Sequence, residues 1–420
     1  MKCRRLVFQR YQVRKEVAAV VQSGHPWIFR DKLSSAVEVF PDGQWLQLVD
    51  GDNQTIGWAI YQASGGIGLR ILRKGPNPPG PGWFHKVVDK AIRKRQPLLK
   101  ESEAYRVLNG ESDQLPGVVL DIYNGCGVLQ TYSPGVDSLG RYAAALVAER
   151  LQLRGVLWKT PSKRKDLDSP RVRLLRGRVP EVVQFLEGPL QLAAHLRSGQ
   201  KSGTFLDLRG LRRWLYEQNL KGARVLNLFS YTGAIGLACC YGGAREVVNV
   251  DAAQASLDFG ARHHAHAAQR WVCADIFQWI PQLGPQEKFD WIIVDPPSMA
   301  SQVDQVPQAL AVYRRIYRQL RPHLKPGGVM VACCCTSRIT PGRFEQVVRQ
   351  ALDGAKVWQK LPMELDHKPA FDEARYLKVL AFRPSSAPPA PRAKAAAPPG
   401  DPARHRHPAR KPRRGRPPTK

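Results

Sequence analysis

Lys288-Phe289-Asp290-Trp291-Ile292-Ile293-Val294-Asp295-Pro296-Pro297-Ser298 reads as a buried strand that delivers a carboxylate to its own C-terminal end. The apolar run from Trp291 to Val294 suits a strand covered on both faces. Two prolines then fix the turn without leaving unpaired amide donors. On either side lie further buried-strand candidates: Arg224-Val225-Leu226-Asn227-Leu228, Glu246-Val247-Val248-Asn249-Val250 and Val329-Met330-Val331-Ala332-Cys333. Helical patterns separate them, and this βαβ alternation predicts an α/β, Rossmann-like, doubly wound parallel sheet over residues 197–384. Such sheets bind ligands beyond the carboxyl ends of their strands.

Working toward the N-terminus, residues 83–196 predict a compact α+β domain. A basic helix (Lys86 to Lys100) leads into strands at Tyr105–Leu108, Val118–Ile122 and Val128–Tyr132, then a helix near Leu139–Leu151 and a strand at Val156–Lys159. The Lys- and Arg-rich patch from Lys159 to Arg178 suits a solvated loop or an RNA-facing surface. Residues 75–82 are a Pro/Gly linker. Residues 1–74 carry short β-rich runs with Gly punctuation, such as Trp45-Leu46-Gln47-Leu48-Val49 and Ile56-Gly57-Trp58-Ala59-Ile60, which predict a small antiparallel β-barrel or hairpin set. The tail from Ser385 to Lys420 has ten prolines, ten Lys or Arg and one acid, and almost no large apolar side chains. It cannot offset its ordering entropy and is expected to be disordered.

The net charge is +29. The tail contributes only part of this, so the body itself favours a polyanionic partner, nucleic acid before anionic membrane. No stretch is long and apolar enough to span a bilayer, and the basic N-terminus lacks the apolar core of a signal peptide. A cytoplasmic protein without a membrane association is expected. The eight cysteines include no C-x-x-C pair, which argues against a metal site or a disulfide framework.

After the first strand of residues 197–384 comes Asn227-Leu228-Phe229-Ser230-Tyr231-Thr232-Gly233-Ala234-Ile235-Gly236. A strand entering a Gly-bearing turn and then a helix lets backbone approach a ligand closely. The pattern is not G-x-G-x-x-G, which disfavours a dinucleotide. Asp251 stands at the next strand end, eighteen residues after Gly233, where a carboxylate accepts ribose hydroxyls. Asp275 stands at the following one, within reach of an adenine amino group. Three such features in order point to a nucleoside cofactor, with S-adenosylmethionine preferred to a nicotinamide.

The strand after Asp295 ends in Cys333-Cys334-Cys335-Thr336-Ser337. Side chains alternate along a strand, so Cys333 and Cys335 share a face and Cys334 points away. A thiol beside an Asp-Pro-Pro turn is what carbon methylation of a pyrimidine requires. Cytosine C5 is too weak a nucleophile until a thiolate adds to C6, whereas nitrogen methylation needs no such group.

With these residues placed, the chain resembles the bacterial 23S ribosomal RNA cytosine-5 methyltransferases that carry an N-terminal PUA domain. The resemblance runs from about Val13 to Phe382. It rests on Gly24-His25-Pro26-Trp27-Ile28-Phe29, Glu111-Ser112-Asp113-Gln114-Leu115-Pro116-Gly117 with Asp121, and the element Ser198–Arg209. Asn227–Gly233, Asp295-Pro296-Pro297, Asp366-His367-Lys368-Pro369 and Tyr376-Leu377-Lys378 complete it. It implies a class I methyltransferase fold behind a PUA-like barrel, with Cys335 as nucleophile and Asp295 as acid or hydrogen-bond partner of the base. Asn227, Phe229, Tyr231, Thr232, Gly233, Asp251 and Asp275 would hold S-adenosylmethionine. Pro296, Pro297, Lys201 and Arg209 would meet the substrate, 23S ribosomal RNA. Ser298 stands where the family usually has lysine, and Thr204 where an aromatic is common. A homodimer is one expectation for the assembly. Two rival readings are a guanine N7 or N2 methyltransferase with Cys335 merely structural, and a catalytically silent RNA-binding assembly factor.

Overall fold

The computed structural model describes residues 8–160, 171–198 and 204–383. Lys201, the middle of the Lys159–Arg178 patch and the basic tail lie outside these. Among the described residues no helix is long and apolar enough to cross a membrane.

The first sheet lies wholly within residues 8–74. It comprises β1 (Phe8–Gln12), β2 (Trp27–Phe29), β3 (Trp45–Val49), β4 (Thr55–Tyr61) and β5 (Ile67–Lys74), with α1 (Lys15–Ser23) packed on it. Its order is β1-β3-β4-β5-β2. The β1–β3 pair is parallel, so the expected all-antiparallel pairing holds only for the other strands.

α2 (Pro81–Arg95) begins five residues before the predicted start, because Pro81 at its first turn needs no donor and its fixed φ already suits a helix. The last two residues of the predicted linker therefore open a helix. The second sheet follows: β6 (Ala104–Asn109), β7 (Val118–Tyr123), β8 (Cys126–Thr131), α3 (Asp137–Arg150), β9 (Gly155–Lys159) and β10 (Val172–Gly177), in the order β10-β9-β8-β7-β6. Part of the basic patch is thus a strand. A hairpin of β11 (Val182–Glu187) and β12 (Leu190–His195) comes next. Its Val183, Phe185, Leu190 and Leu192 share one hydrophobic core with the third sheet.

That third sheet contains α4 (Arg209–Tyr216), β13 (Arg224–Leu228), α5 (Ala234–Tyr241), β14 (Glu246–Asp251), α6 (Gln254–His263), β15 (Gln269–Cys273), α7 (Ile276–Trp279) and β16 (Phe289–Val294). It ends with α8 (Val306–Leu320), β17 (Leu324–Cys334), α9 (Pro341–Ala351), β18 (Lys356–Leu361) and β19 (Lys378–Arg383). The order is β15-β14-β13-β16-β17-β19-β18, parallel from β15 to β17, with β19 antiparallel to both its neighbours. Alternation along β13 sends Val225 to the core under α5 and Leu226 and Leu228 to the core under α8 and α9. The connections reverse direction at β13 and β16, and ligands of open α/β sheets bind at that point.

Candidate active site

A cavity of about 910 Å³ lies over the C-terminal ends of β13, β14, β16 and β17. The loop leaving β13 builds one wall. Phe229 (φ 59°), Tyr231 (φ 52°) and Gly233 (φ 71°) are all left-handed. Two aromatic residues in that region cost about 1–3 kcal/mol each, and only surrounding contacts hold them there. Tyr231 N donates to Asp251 Oδ2 at 2.8 Å, and Ser230 N to Val250 O at 3.0 Å. From behind, His264 Nδ1 bonds Thr232 O at 2.7 Å while its Nε2 accepts from Ala193 N at 2.9 Å. The accepting Nε2 leaves the proton on Nδ1. Burial pushes this imidazole down to about 4, so it stays neutral near pH 7.

Asp251 and Asp275 end successive units of the sheet and both line the cavity. Asp251 is oriented further by Ala253 N (2.9 Å), and Asp275 caps α7 through Phe277 N (2.8 Å). The arrangement fits a nucleoside sulfonium: a close-approach backbone loop and a carboxylate at each of two successive strand ends, both lining the cavity. Phe229, Tyr231 and Thr232 line the cavity, and Gly233 caps α5 between Thr232 and Ala234.

The opposite wall is the Asp295-Pro296-Pro297-Ser298 turn. β17 runs parallel to β16 with Val294 beside Ala332, which brings Cys335, one residue past the strand, against the turn. Its Sγ lies 3.7 Å from Pro296 O. Cys333 and Cys334 are fully buried, in opposite cores, as strand alternation requires. Burial, then the charge of Asp295, pushes the Cys333 thiol well above its usual range. Only Cys335 of the three lines the cavity.

Thr336 ties the two loops together. Its Oγ1 accepts from Met299 N at 3.1 Å and lies 3.4 Å from Ser298 Oγ, which gives Ser298 a place on the cavity wall. Its carbonyl accepts from Lys378 Nζ at 2.6 Å, and Lys378 also bonds Tyr376 O at 2.8 Å. Tyr376 closes the cavity with its hydroxyl on Asp207 Oδ2 at 2.7 Å, and burial with that carboxylate pushes the phenol far up.

Two expected site residues are elsewhere. Asn227 does not line the cavity. It is wholly buried and donates to Asn249 Oδ1 at 2.9 Å, because its place on β13 points it under α5. Arg209 is a correction too: it is buried against Glu364 Oε2 (3.2 Å), Asp366 Oδ1 (2.7 Å) and Ala104 O (3.0 Å), out of reach of RNA. Lys201 lies outside the described residues. Conversely, Tyr132, Asp207, Phe277 and Tyr376 line the cavity without having been singled out for it. Asp207 and Tyr376 stood inside family-like stretches. Tyr132 had no signal, since it arrives from the second sheet.

Comparison with known proteins agrees with this geometry. A family model described as an S-adenosylmethionine-dependent methyltransferase matches residues 159–383, and a PUA-like domain model matches residues 12–74. A ribosomal RNA large subunit methyltransferase of Deinococcus radiodurans is 30% identical over 393 residues, covering 88% of this chain and 96% of the relative. A ribosomal RNA large subunit methyltransferase I of Tolumonas auensis is 28% identical over 380 residues, covering 86% and 95%. Among solved structures, a SAM-dependent methyltransferase from Streptococcus mutans superimposes with a TM-score of 0.76 at 23% identity, over 89% of this chain and 99% of that one, and so shares the fold. The cofactor loop, the carboxylates at successive strand ends and the matched family model lead to one statement: this chain belongs to the S-adenosylmethionine-dependent methyltransferases, with a PUA-like domain ahead of the methyltransferase fold.

Proposed function

We propose that the protein methylates C5 of a cytosine in 23S ribosomal RNA, in the cytoplasm, through a covalent adduct on Cys335. The observation that carries this reading is the Cys335 thiol, 3.7 Å from the Pro296 carbonyl in the cavity that also holds the cofactor loop. The names of the relatives from D. radiodurans and T. auensis support large-subunit RNA as substrate, and the charge of +29 supports a polyanion.

Bound against Tyr231, Asp251 and Asp275, S-adenosylmethionine supplies an electrophilic methyl group. The chain's own part is to make the base nucleophilic. A flipped-out cytosine enters between the proline turn and Tyr376. The Cys335 thiolate adds to C6, while Asp295 donates to or hydrogen-bonds the base and stabilises the resulting enamine. C5 then carries the electron pair that would form the new carbon–carbon bond to the methyl group, while the sulfonium carbon–sulfur bond breaks and its electron pair leaves on the neutral thioether. Loss of the C5 proton to a base and elimination of the thiolate restore the aromatic ring and free Cys335.

Mapping modified nucleotides in ribosomal RNA from cells with and without the gene tests the product. The expected difference is one 5-methylcytosine in the large subunit. A missing N7- or N2-methylguanine would establish nitrogen chemistry instead. RNA binding with no methyl transfer would establish the silent assembly factor.

A further inference from the structure

The basic patch is one motif that the active site does not absorb. From Lys159 to Arg178 the sequence holds eight Lys or Arg against two acids. Within it, β10 is, among the described residues, the edge strand of the second sheet and pairs with β9. Arg171, Arg173 and Arg176 are all exposed. Among the described residues, none of their guanidinium groups bonds a carboxylate.

Sequence spacing alone would put Arg173 and Arg176 on opposite faces of a strand. A bulge prevents this. Arg173 pairs with Trp158 and Leu174 with Leu157, but Arg176 pairs with Val156, so one residue is looped out. Opposed residues of an antiparallel pair share a face, and the extra residue restores the phase. Arg173 and Arg176 therefore lie on the side of Trp158 and Val156, as does Arg171, two residues before Arg173. Arg141 of α3 joins them, its guanidinium 5.8 Å from the Trp158 ring centre.

Hydrogen bonds also tie this strand to its neighbours. Arg171 N donates to Thr160 Oγ1 at 2.8 Å, and Trp158 Nε1 donates to Thr131 Oγ1 at 3.0 Å. Those bonds tie the start of β10 to the end of β9, and the end of β9 in turn to Thr131 at the end of β8, one residue before Tyr132 of the cavity wall. From Val172 to Gly177 the strand extends about 17 Å at the usual rise per residue. Lone charged residues are ordinarily solvated. Here a bulge is spent on collecting arginines on one face, beside an aromatic ring, on the sheet whose β8 leads to Tyr132 of the cavity wall.

We infer that the β10 face is a second RNA-docking surface, separate from the PUA-like domain, which holds phosphates of the strand flanking the target base. The inference rests on RNA as the substrate. Arginine suits the task because its planar fork meets phosphate oxygens in pairs.

The test compares the full chain with R171Q/R173Q/R176Q, using a large-subunit ribosomal RNA transcript. The variant should bind about tenfold or more weakly, with a salt dependence shallower by about 2–3 in log–log slope, as expected for the loss of three phosphate contacts. Affinity for S-adenosylmethionine should not change. R171K/R173K/R176K, which keeps the charge, should retain most of the slope. Unchanged RNA affinity and slope in the glutamine variant would overturn the inference. So would a loss confined to phosphatidylserine vesicles. If the wild type binds the transcript but methylates no RNA, the proposed function fails while the slopes still decide the fate of this surface.

Discussion

Two polar regions of this molecule use the same residue types to opposite ends. One is the joint between the second and third sheets. There Arg95 bonds both oxygens of Asp113 (2.7 and 2.5 Å) and Arg106 bonds Asp121 (2.7 Å). Arg209 bonds Glu364 and Asp366, and Arg212 bonds Glu187 (2.6 and 2.7 Å). Burial pushes the Asp366 carboxyl up, yet His367, Arg209 and the Arg106 backbone outweigh it and hold the group far below the usual range. The other region is the cavity, which Asp251 and Asp275 line while backbone N–H groups hold their carboxylates. Charges answered by side chains on all sides are architecture. Charges steadied by backbone N–H groups at a cavity wall are a binding site.

The sharpest way to break this contrast is at the thiols. Cys335→Ala should lower methyl transfer on the order of a thousandfold or more with cofactor affinity intact, because it removes a nucleophile. Cys334→Ala, one residue away in the core, should leave kcat within a few-fold. Equal losses in radiolabelled transfer assays would show that the cysteine run acts through packing.

Next comes the joint. Arg209→Ala removes one buried partner from Glu364 and Asp366, which keep Arg213 and His367, and should cost about 3 kcal/mol of stability. Denaturant unfolding measures this, while the molecules that remain folded should keep their KM for RNA. A raised RNA KM at unchanged stability would return Arg209 to the substrate surface.

His264 steadies the cofactor loop from a fully buried position. Its folded pKa of about 4 lies below the unfolded value. The unfolded chain therefore takes up a proton first, so stability is complete above about pH 6.5 and falls as pH drops toward 4, by on the order of 3 kcal/mol. Unfolding midpoints at pH 7 and pH 5 should show the decline in the wild type and a flatter profile in His264→Gln. The smallest effect expected is at Gly236, where an added Cβ would collide with Asn249 Oδ1 beneath α5. Gly236→Ala should cost about 1–3 kcal/mol by overpacking and raise the KM for cofactor, which a thermal melt with and without S-adenosylmethionine would register.

Much of this was legible in the chain. The strand ending at Asp295, the loop from Phe229 to Gly233, and the carboxylates Asp251 and Asp275 follow from hydrophobic period and strand-end chemistry, which are local. The alternation that separates Cys335 from Cys334 is local as well, and the structure keeps it. What sequence could not decide was partnership across long separations. Arg209 reads as an exposed cation until Glu364 and Asp366, more than 150 residues later, fold over it. Asn227 sits in a cofactor-like motif, yet the pleat of β13 turns it toward Asn249. Tyr132 reaches the cavity only because the second sheet packs against the third, and Arg173 and Arg176 share a face only because of a bulge. The sequence by itself determined the methyltransferase sheet and the Asp-Pro-Pro edge, because period and turn chemistry are written within a few residues. Tertiary structure alone decided which charges are consumed as internal partners and which remain to meet a ligand, because a charge is neutralised by whatever lies beside it in space.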